Sequence, residues 1–595
     1  MKTSKIEVRN GNPILCIGDE ALSACAYMTY FDERNDYRAF AEKGFRIFSV
    51  SVFLASQPIN TASGFMPYVG GVFDEKGKAD FSVVDEAIDK ILKSCPNAYI
   101  FPRIYVCMPQ WWIVENPTET VPVPHDQRRE SLYSDTFRKD AADMLRTLIR
   151  HFQTFRASDH IFGYQISGGN TQEWFHLDLN GSYDEGALPY FNRYLQKKYP
   201  GMEPVSKLPS LDVIKTAVRI EDGLLTEYLR FASEEVAETV MDLCRVVKEA
   251  VKGQQIAGVF YGYTAEVPDP LWGTHALGKL LESPDIDFIS SPNSYMDGRA
   301  LGVDWPDMVP ADSVKLHGKM IFMECDIRTF LTRSPEESRK GSDPLHYYND
   351  KVWEGPATEE LSVWAVRKSL ARQLTYKNGL WWFDMFGHWF QTARLMREME
   401  QSRLLYEGTK TGQAADFVTE VMLVYEEEWY AKNGRAHAAH GKAYHLRKTL
   451  GMCGVPYETY LLPDLDVIDW KNSPCKAVIF AMPADSEAAA RKMEELMQRG
   501  IGCMAVTAEK PTFTAAEIRA FLQENSVFVY TADDDVFYIG NGYAALHAAT
   551  AGEKQICFPK KVTCTDTENG SVFVTDTLTF SCMQYETKLF KIEQS

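Results

Sequence analysis

Eight apolar segments, each followed by a helix-like segment, occupy residues 20–390 and constrain the fold more than any other feature of the chain. The strand candidates cover residues 22–31, 45–53, 98–106, 161–167, 255–263, 287–295, 319–325 and 379–386. Most are near-continuous apolar runs, which is typical of parallel strands covered on both faces. The clearest amphipathic helices between them cover residues 134–155, 224–253 and 358–377. This pattern predicts a (β/α)8 barrel with insertions over residues 1–400.

A doubly wound open sheet is the alternative architecture for alternating strands and helices. Such sheets rarely reach eight strand–helix units, and they usually carry a glycine-rich phosphate loop after a strand. None of the eight strand candidates is followed by GxGxxG or GxxxxGK[ST]. The barrel is therefore favoured over the open sheet.

Two further regions follow the predicted barrel. A charged helix and the small-residue linker TKTGQAA (409–415) separate it from new strand candidates at 420–425, 457–462, 475–482, 502–508 and 527–531. Five strands with helices between them predict a smaller flavodoxin-like α/β domain over residues 416–553. Residues 554–595 alternate polar and apolar side chains around a turn at 568–570, and they predict a small β-sandwich-like domain.

Charge and composition argue against several classes of protein. The formal net charge is −19, whereas binding to nucleic acid or to an anionic membrane surface needs a cationic surface. No apolar run reaches the ~18 residues of a membrane-spanning helix and the N-terminus shows no signal-peptide pattern, so we expect a cytoplasmic protein. The 12 cysteines are scattered without a CxxC pair and are expected to be free thiols. We expect no metal and no organic cofactor.

Chemistry in such a barrel is expected at the carboxyl ends of the strands. The residues predicted there are mainly carboxylates, aromatics and amides, without a Ser–His–Asp set or a His/Cys cluster. Paired carboxyls between aromatic walls are what hydrolysis of a glycosidic bond requires, because one must keep its proton and the other must stay ionised. After the third to eighth strands these residues are Gln110, Trp111, Trp112, Glu115; Asn170, Glu173, Trp174; Tyr263, Glu266; Asn293, Tyr295; Glu324, Asp326, Arg328; and Asp384, His388, Trp389.

The order of these residues resembles clan A glycoside hydrolases, which carry the acid/base after strand four and the nucleophile after strand seven. Glu173 and Glu324 occupy those two places. The stretch PQWWIVENP (109–117) is similar to the loop after strand three in family 42 β-galactosidases. The three-region order is also that of this family and of family 164 β-mannosidases. The resemblance implies a retaining exo-β-glycosidase acting on terminal galactose or mannose, and a homotrimer assembled through the middle domain.

The chain departs from the clan A pattern at the end of the fourth strand. Clan A enzymes usually place Asn-Glu directly there, whereas this chain has Gly168 and Gly169, with Glu173 four residues after the second glycine. We predict that the glycines permit a bend without a Cβ clash, and that Glu173 re-enters the pocket from a short loop. Glu115 and Glu266 are the alternatives for the acid/base.

Several other residues are predicted to bind the substrate or to support the two glutamates. Arg103 lies in the middle of a strand and is expected to act on the carboxylates as a supporting charge. Tyr295 and Arg328 are expected to donate hydrogen bonds to Glu324, although Glu324 could instead be only an ion-pair partner of Arg328. Two tryptophans are expected to line the pocket, and an amide and an aspartate to read hydroxyls. The predicted substrate-binding set is Arg103, Trp112, Asn170, Tyr295, Arg328, Asp384 and Trp389.

Other sugars and other functions are the alternatives to this prediction. Glucose or a uronic acid could replace galactose or mannose, but the carboxylates among the loop residues count against a uronate. A catalytically silent carbohydrate-binding protein is favoured by the missing Asn-Glu pair. An electron carrier built on residues 416–550 is opposed by the acidic, glycine-poor stretch YEEEWYAKNG (425–434) after its first strand.

Overall fold

Eight parallel strands close into a barrel at the centre of the molecule. The computed structural model describes residues 2–61, 63–67, 69–125, 127–177, 184–410, 417–483 and 486–594. Each strand pairs with the next in sequence, and the last pairs with the first. The predicted (β/α)8 barrel is confirmed, and the open sheet is excluded. The strands are β1 (Cys25–Thr29), β2 (Ile47–Phe53), β3 (Tyr99–Val106), β4 (Gly163–Gly168), β5 (Ile256–Phe260), β6 (Phe288–Pro292), β7 (Met320–Cys325) and β8 (Gly379–Asp384).

Helices surround the barrel. Two of the longest begin at strong N-caps, because the side chains of Ser134 and Asp222 accept hydrogen bonds from backbone N–H groups of the first turn. None of the described helices is long and apolar enough to cross a membrane. The helices of this region are Tyr37–Glu42, Ser82–Ser94, Gln110–Glu115, Asp135–Thr154, Leu188–Lys198, Asp212–Thr216, Gly223–Ala250, Leu277–Leu281, Ala311–Leu316, Pro335–Ser338, Glu359–Thr375 and Ala393–Thr409.

Aromatic side chains fill the N-terminal half of the barrel. The ring of Phe322 lies 5.3 Å from that of Phe101 and 5.1 Å from that of Trp381. A three-stranded sheet (Ser4–Arg9, Asn12–Ile17 and Glu20–Leu22), which the sequence analysis missed, covers this end. Its first strand is held by Ser4, whose hydroxyl accepts a hydrogen bond from the backbone N–H of Ile256 at 2.9 Å. A ligand must therefore enter from the carboxyl ends of the strands.

The second region is a parallel sheet with helices. Its strands are β9 (Val421–Tyr425), β10 (Glu458–Leu461), β11 (Ala477–Pro483) and β12 (Gly502–Val506), in the order β10-β9-β11-β12, with helices Glu427–Lys432, Ala443–Leu450, Glu487–Gln498 and Ala515–Glu524. This winding is flavodoxin-like, as predicted. The predicted fifth strand at 527–531 is wrong. The backbone N–H groups of Phe528 and Tyr530 bond separately to the Glu420 side chain and the Gly454 carbonyl, both at 2.9 Å, instead of to a neighbouring strand.

The C-terminal region is one five-stranded antiparallel sheet. Its strands are β13 (Val536–Gly540), β14 (Tyr543–His547), β15 (Gly552–Asp566), β16 (Val572–Cys582) and β17 (Thr587–Gln594), in the order β13-β14-β17-β15-β16. The sheet begins before residue 554, the predicted start of this domain. It is not a sandwich, because the barrel helix Glu359–Thr375 and not a second sheet packs against it. The Thr587 hydroxyl donates to the Trp364 carbonyl of that helix at 2.8 Å. Residues 411–416, which include most of the predicted linker and the predicted start of the α/β domain, lie outside the described residues.

A buried charge cluster joins the barrel to the C-terminal sheet. Arg372, on the helix Glu359–Thr375, pairs with Asp304 and Asp307, each at 3.0 Å. The hydroxyl of Tyr538, on β13, donates to Asp304 as well. All four side chains are buried, so each carboxylate depends on the guanidinium for its compensating charge.

We expect Arg372→Met to destabilise the protein by about 3–5 kcal/mol, because two buried carboxylates would lose their partner. Thermal unfolding followed by circular dichroism would show a clearly lower midpoint. The matched control is Arg245→Met, since that side chain is 53% exposed and pairs with Asp242 on the surface, where such pairs contribute about 0–1 kcal/mol. Equal midpoints for the two variants would contradict the expectation.

Candidate active site

The loop after β4 doubles back on itself within seven residues. The backbone N–H of Trp174 donates to the Gly168 carbonyl at 2.7 Å, and the N–H of Asn170 donates to the Phe175 carbonyl at 2.8 Å. These bonds close the loop. Glu173 lies in the closed part of the loop, so its side chain is held close to the strand end that the chain has just left.

The two glycines are required by this close approach. A Cβ atom on Gly168 would lie 2.6 Å from the ring of Trp174, and one on Gly169 would lie 2.7 Å from the Phe175 carbonyl oxygen. Gly169 also has a φ of +64°, which side-chain-bearing residues adopt at a cost. The predicted bend at the glycine pair is thus present, and its reason is packing of the loop on its own backbone and on Trp174.

Three further residues of this loop have left-handed backbone conformations. Thr171, Gln172 and Trp174 have φ angles of 57°, 69° and 62°. Such conformations cost on the order of 1–3 kcal/mol each and concentrate at functional sites. The indole of Trp174 is fully buried beneath the loop, and burial of a side chain of that size offsets part of the cost.

Glu173 receives hydrogen bonds from two hydroxyls. Tyr263, just after β5, donates to Oε1 at 2.8 Å, and Thr171 donates to Oε2. Burial raises the pKa of Glu173 to about 7, although both hydroxyls and the charge of Arg103 act in the opposite direction. A carboxyl with this pKa exchanges its proton near neutral pH.

Glu324, the penultimate residue of β7, forms an ion pair with Arg103 of β3. The Nη1 atom of Arg103 lies 2.8 Å from Oε2 of Glu324, and the two side chains are only 1% and 3% exposed. Burial raises the pKa of Glu324 to about 8, Arg103 lowers it, and the charges of Asp326 and Glu173 raise it further. The two glutamates therefore share one electrostatic environment at the carboxyl ends of the strands, and Arg103 acts on both as expected.

Asp326 takes the hydrogen bonds that were expected at Glu324. Tyr295 donates its hydroxyl to Oδ2 of Asp326 at 2.8 Å, and Nη1 of Arg328 lies 2.6 Å from the same oxygen. Arg299 pairs with the other oxygen at 2.7 Å. The prediction that Tyr295 and Arg328 donate to Glu324 is wrong, because the chain leaves β7 at Cys325 and places the next carboxylate between these donors.

Asp384 is used to hold the turn after β8. Oδ2 accepts hydrogen bonds from the Tyr27 hydroxyl at 3.0 Å and the His388 N–H at 2.9 Å, and Oδ1 accepts from the Trp389 N–H at 3.0 Å. Both oxygens are thus bound by protein donors in a buried position. These bonds position Trp389, and the predicted contact of Asp384 with a sugar hydroxyl stays a prediction.

Two other predicted binding residues have protein partners. The amide oxygen of Asn170 accepts a hydrogen bond from the Thr61 N–H at 2.9 Å. The predicted contact of Asn170 with a sugar would therefore be made by its amide nitrogen. Trp112 donates its indole N–H to Asp140 at 2.8 Å, on the helix Asp135–Thr154. The polar edge of Trp112 is thus directed to an outer helix, and its contact with a sugar stays a prediction.

Glu115 and Glu266, the alternatives to Glu173 as the acid/base, are both paired with basic side chains. Glu115 is 47% exposed and pairs with Lys76. Glu266 accepts hydrogen bonds from Ser294 at 2.8 Å and from Arg447 of the α/β domain at 2.6 Å. Of the three candidates, only Glu173 is among the charges that shift the pKa of Glu324. Glu173 therefore remains the predicted acid/base.

The long segment after β7 contributes two aromatic residues that the sequence analysis missed. The rings of Tyr348 and Trp353 are 4.5 Å apart, and Trp353 lies 4.5 Å from the guanidinium carbon of Arg328. Burial raises the pKa of Tyr348 and the charge of Glu173 raises it further. The Tyr348 ring also packs 5.8 Å from that of Phe386, which follows β8, so this segment lies over the carboxyl ends of the strands. The aromatic-rich stretch HYYNDKVW (346–353) is the sequence signal from which these two aromatic residues could have been predicted.

Comparison with known proteins gives the fold a family context. No family model and no curated protein matches the sequence. Three solved structures share its architecture: a β-galactosidase from Bacillus circulans sp. alkalophilus, a catalytic mutant of the GH42 β-galactosidase Gan42B from G. stearothermophilus, and a β-galactosidase from the psychrophilic Marinomonas ef1. Their identities are 12%, 11% and 9%, and their TM-scores are 0.60, 0.61 and 0.60. The matches cover 95–96% of this chain and 98–99% of those chains.

The chain has the fold of the family 42 β-galactosidases. The resemblance to clan A glycoside hydrolases stated from the sequence is confirmed at the level of the fold, which includes the barrel and both following regions. Because only about one residue in ten is identical, the comparison shows the fold of this chain and does not show its substrate.

We expect Gly169→Ala to lower the thermal unfolding midpoint and to displace Glu173, because the added Cβ would meet backbone atoms at 2.7 Å. Gly77→Ala is the matched control, since Gly77 has a φ of +78° but nothing within 4 Å of its Cβ position. Both variants carry the left-handed cost of about 1–2 kcal/mol, and only Gly169→Ala adds the clash. Midpoints that fall equally would contradict the packing argument.

Proposed function

We propose that the protein is a retaining exo-β-glycosidase that hydrolyses a terminal β-linked hexose, galactose or mannose, from an oligosaccharide or glycoside. The observation that carries the proposal is a pair of glutamates, Glu324 buried and Glu173 partly buried, with different hydrogen-bond partners. Glu324 contacts a guanidinium, whereas Glu173 contacts two hydroxyls. The fold shared with β-galactosidases supports the same reaction class.

The partners of the two carboxyls decide which of them holds the proton. Burial raises both pKa values, to about 7 for Glu173 and about 8 for Glu324, and that order alone would protonate Glu324 first. We assign the proton to Glu173 instead, because the direct contact of Arg103 with Glu324 stabilises a carboxylate by a charge-assisted hydrogen bond. Neutral hydroxyl donors stabilise the charge on Glu173 less.

The first step forms a glycosyl–enzyme ester. A carboxylate oxygen of Glu324 attacks the anomeric carbon while the bond from that carbon to the leaving oxygen breaks. The leaving oxygen keeps the bonding electrons and takes the proton of Glu173. In the second step Glu173 removes a proton from water, whose oxygen attacks the anomeric carbon and releases the carboxylate of Glu324. We expect the two carboxyl groups to lie roughly 5–5.5 Å apart.

The choice of sugar and of assembly follows the family resemblance. Galactose is the sugar named for the similar solved structures, and mannose comes from the similarity to family 164. A homotrimer built through the α/β domain belongs to the same proposal.

We expect Glu324→Ala to abolish turnover of 4-nitrophenyl β-glycosides, because the nucleophile is lost. The variant should still fold but unfold at a lower temperature, because Arg103 loses its buried partner. Glu173→Ala should slow alkyl glycosides far more than aryl glycosides, since only a poor leaving group needs the proton. Glu115→Ala is the matched control and should keep full activity. Release of nitrophenol from a panel of β-galactosides and β-mannosides measures all three.

An equally active Glu324→Ala enzyme would remove the assignment of the nucleophile. Binding of sugars without nitrophenol release by the wild-type protein would instead support the catalytically silent carbohydrate-binding protein.

We expect kcat/KM to fall as the pH rises through about 7, because the proton that Glu173 must donate is lost above its pKa. Tyr263→Phe removes a hydrogen bond that lowers the pKa of Glu173, so the basic limb of the pH profile should move to higher pH. Tyr261→Phe is the control, because its buried hydroxyl donates to the Gly273 carbonyl at 2.6 Å. A basic limb that moves to lower pH in Tyr263→Phe would contradict this role.

A further inference from the structure

Arg328 has one edge of its guanidinium paired and the other edge unpaired. Nη1 donates to the Asp326 carboxylate at 2.6 Å and to the Asp326 carbonyl at 2.7 Å. Nε and Nη2 are buried and have no hydrogen-bond partner within the described part of the chain, and the residue is only 4% exposed. These two atoms form the side-on fork that binds a carboxylate through two parallel hydrogen bonds.

A second unpaired donor lies beside this fork. The indole Nε1 of Trp389 is buried and also lacks a partner among the residues that the structure describes. The guanidinium carbon of Arg328 is 5.7 Å from the Trp389 ring, 5.5 Å from the Tyr295 ring and 4.5 Å from the Trp353 ring. Buried donors of this kind are costly unless an acceptor binds them, and the aromatic rings around them strengthen any such bond by excluding water.

The charges around the fork leave an excess of positive charge. Arg299 and Arg328 both pair with the carboxylate of Asp326, at 2.7 Å and 2.6 Å, so two guanidinium groups share one negative charge. A ligand with one negative charge would balance this excess.

The fork also lies close to the reacting bond. Arg328 donates to the Asp326 carboxylate at 2.6 Å, and Asp326 follows Glu324 by two residues at the end of β7. A group held by the fork is therefore on the cleaved sugar or on the sugar next to it.

We propose that Arg328 and Trp389 form a carboxylate-binding subsite, and that the substrate contains a hexuronic acid unit. This rests on the proposed glycosidase function and adds an acidic sugar to its substrate. A uronate on the cleaved unit would take the place of galactose or mannose, whereas a uronate on the next unit would not. The loop carboxylates counted against a uronate at the level of sequence, but in the structure Glu115 and Glu266 are paired with Lys76 and Arg447. They therefore do not repel an acidic sugar at this site.

Titration calorimetry with free D-glucuronate and D-galacturonate, compared with D-glucose and D-galactose, tests the subsite without any turnover. We expect the wild-type protein to bind at least one hexuronate roughly tenfold or more tightly than its neutral counterpart, as a bidentate charged contact should provide. Arg328→Lys keeps the charge but loses the fork, and should lose most of this preference. Arg333→Lys, at an exposed position on the same segment, is the matched control and should keep it.

Equal binding of hexuronates and hexoses by the wild-type protein would overturn the proposal. A preference that survives in a folded Arg328→Lys variant would overturn it too, because the charge would then be read elsewhere. If Arg328→Lys does not fold, as judged by near-ultraviolet circular dichroism, Trp389→Phe removes the second donor and should weaken hexuronate binding alone.

The two proposals fail separately. Hexuronate binding without hydrolysis of any aryl glycoside would retain the subsite and remove the glycosidase. Hydrolysis of neutral aryl glycosides without hexuronate preference would retain the glycosidase and remove the subsite.

Discussion

The buried ion pair between Arg103 and Glu324 is the interaction on which the rest of the site depends. It lies directly above the aromatic layer of Phe101, Phe322 and Trp381, where a single charge would have no compensation. Removing one partner of such a pair costs several kcal/mol, whereas the intact pair adds little stability. Its main effect is to fix where negative charge resides. The remaining charges, from the Asp326 cluster to the loop of Glu173, are arranged around that point.

Features set by local sequence were predictable. A parallel barrel strand is a continuous apolar run, so all eight strands could be located from the chain alone. Glu324 follows the run MIFM, and a carboxylate at that boundary has to lie at the strand end. The glycine pair after β4 predicted a bend, because only a residue without a Cβ atom tolerates so close an approach of the backbone.

Features set by distant partners were not predictable. Asp384 is held by a tyrosine 357 positions away, and the direction of Trp112 depends on Asp140 on another helix. Tyr295 and Arg328 were placed at the correct rim but on the wrong carboxylate, because the path of the chain after β7 decides which acceptor they meet. The apolar run at 527–531 shows the same limit. Among the described residues, a single backbone hydrogen bond joins it to a strand, from the Cys557 N–H of β15 to the Tyr530 carbonyl at 2.8 Å, so no strand ladder forms there. The composition of the run gives no sign of this.

The offset of Glu173 from the end of β4 affects how relatives of this chain can be recognised. A sequence alignment places Gly168 and Gly169 opposite the Asn-Glu pair that clan A enzymes usually carry. It therefore indicates that the acid/base residue is absent. In three dimensions the hairpin-like return of the chain brings a carboxyl back beside Tyr263 and within the field of Arg103. A search that compares the positions of carboxyl groups in space would therefore group proteins that a search for sequence motifs separates. A protein that lacks the motif should be compared in this way before it is classed as catalytically inactive.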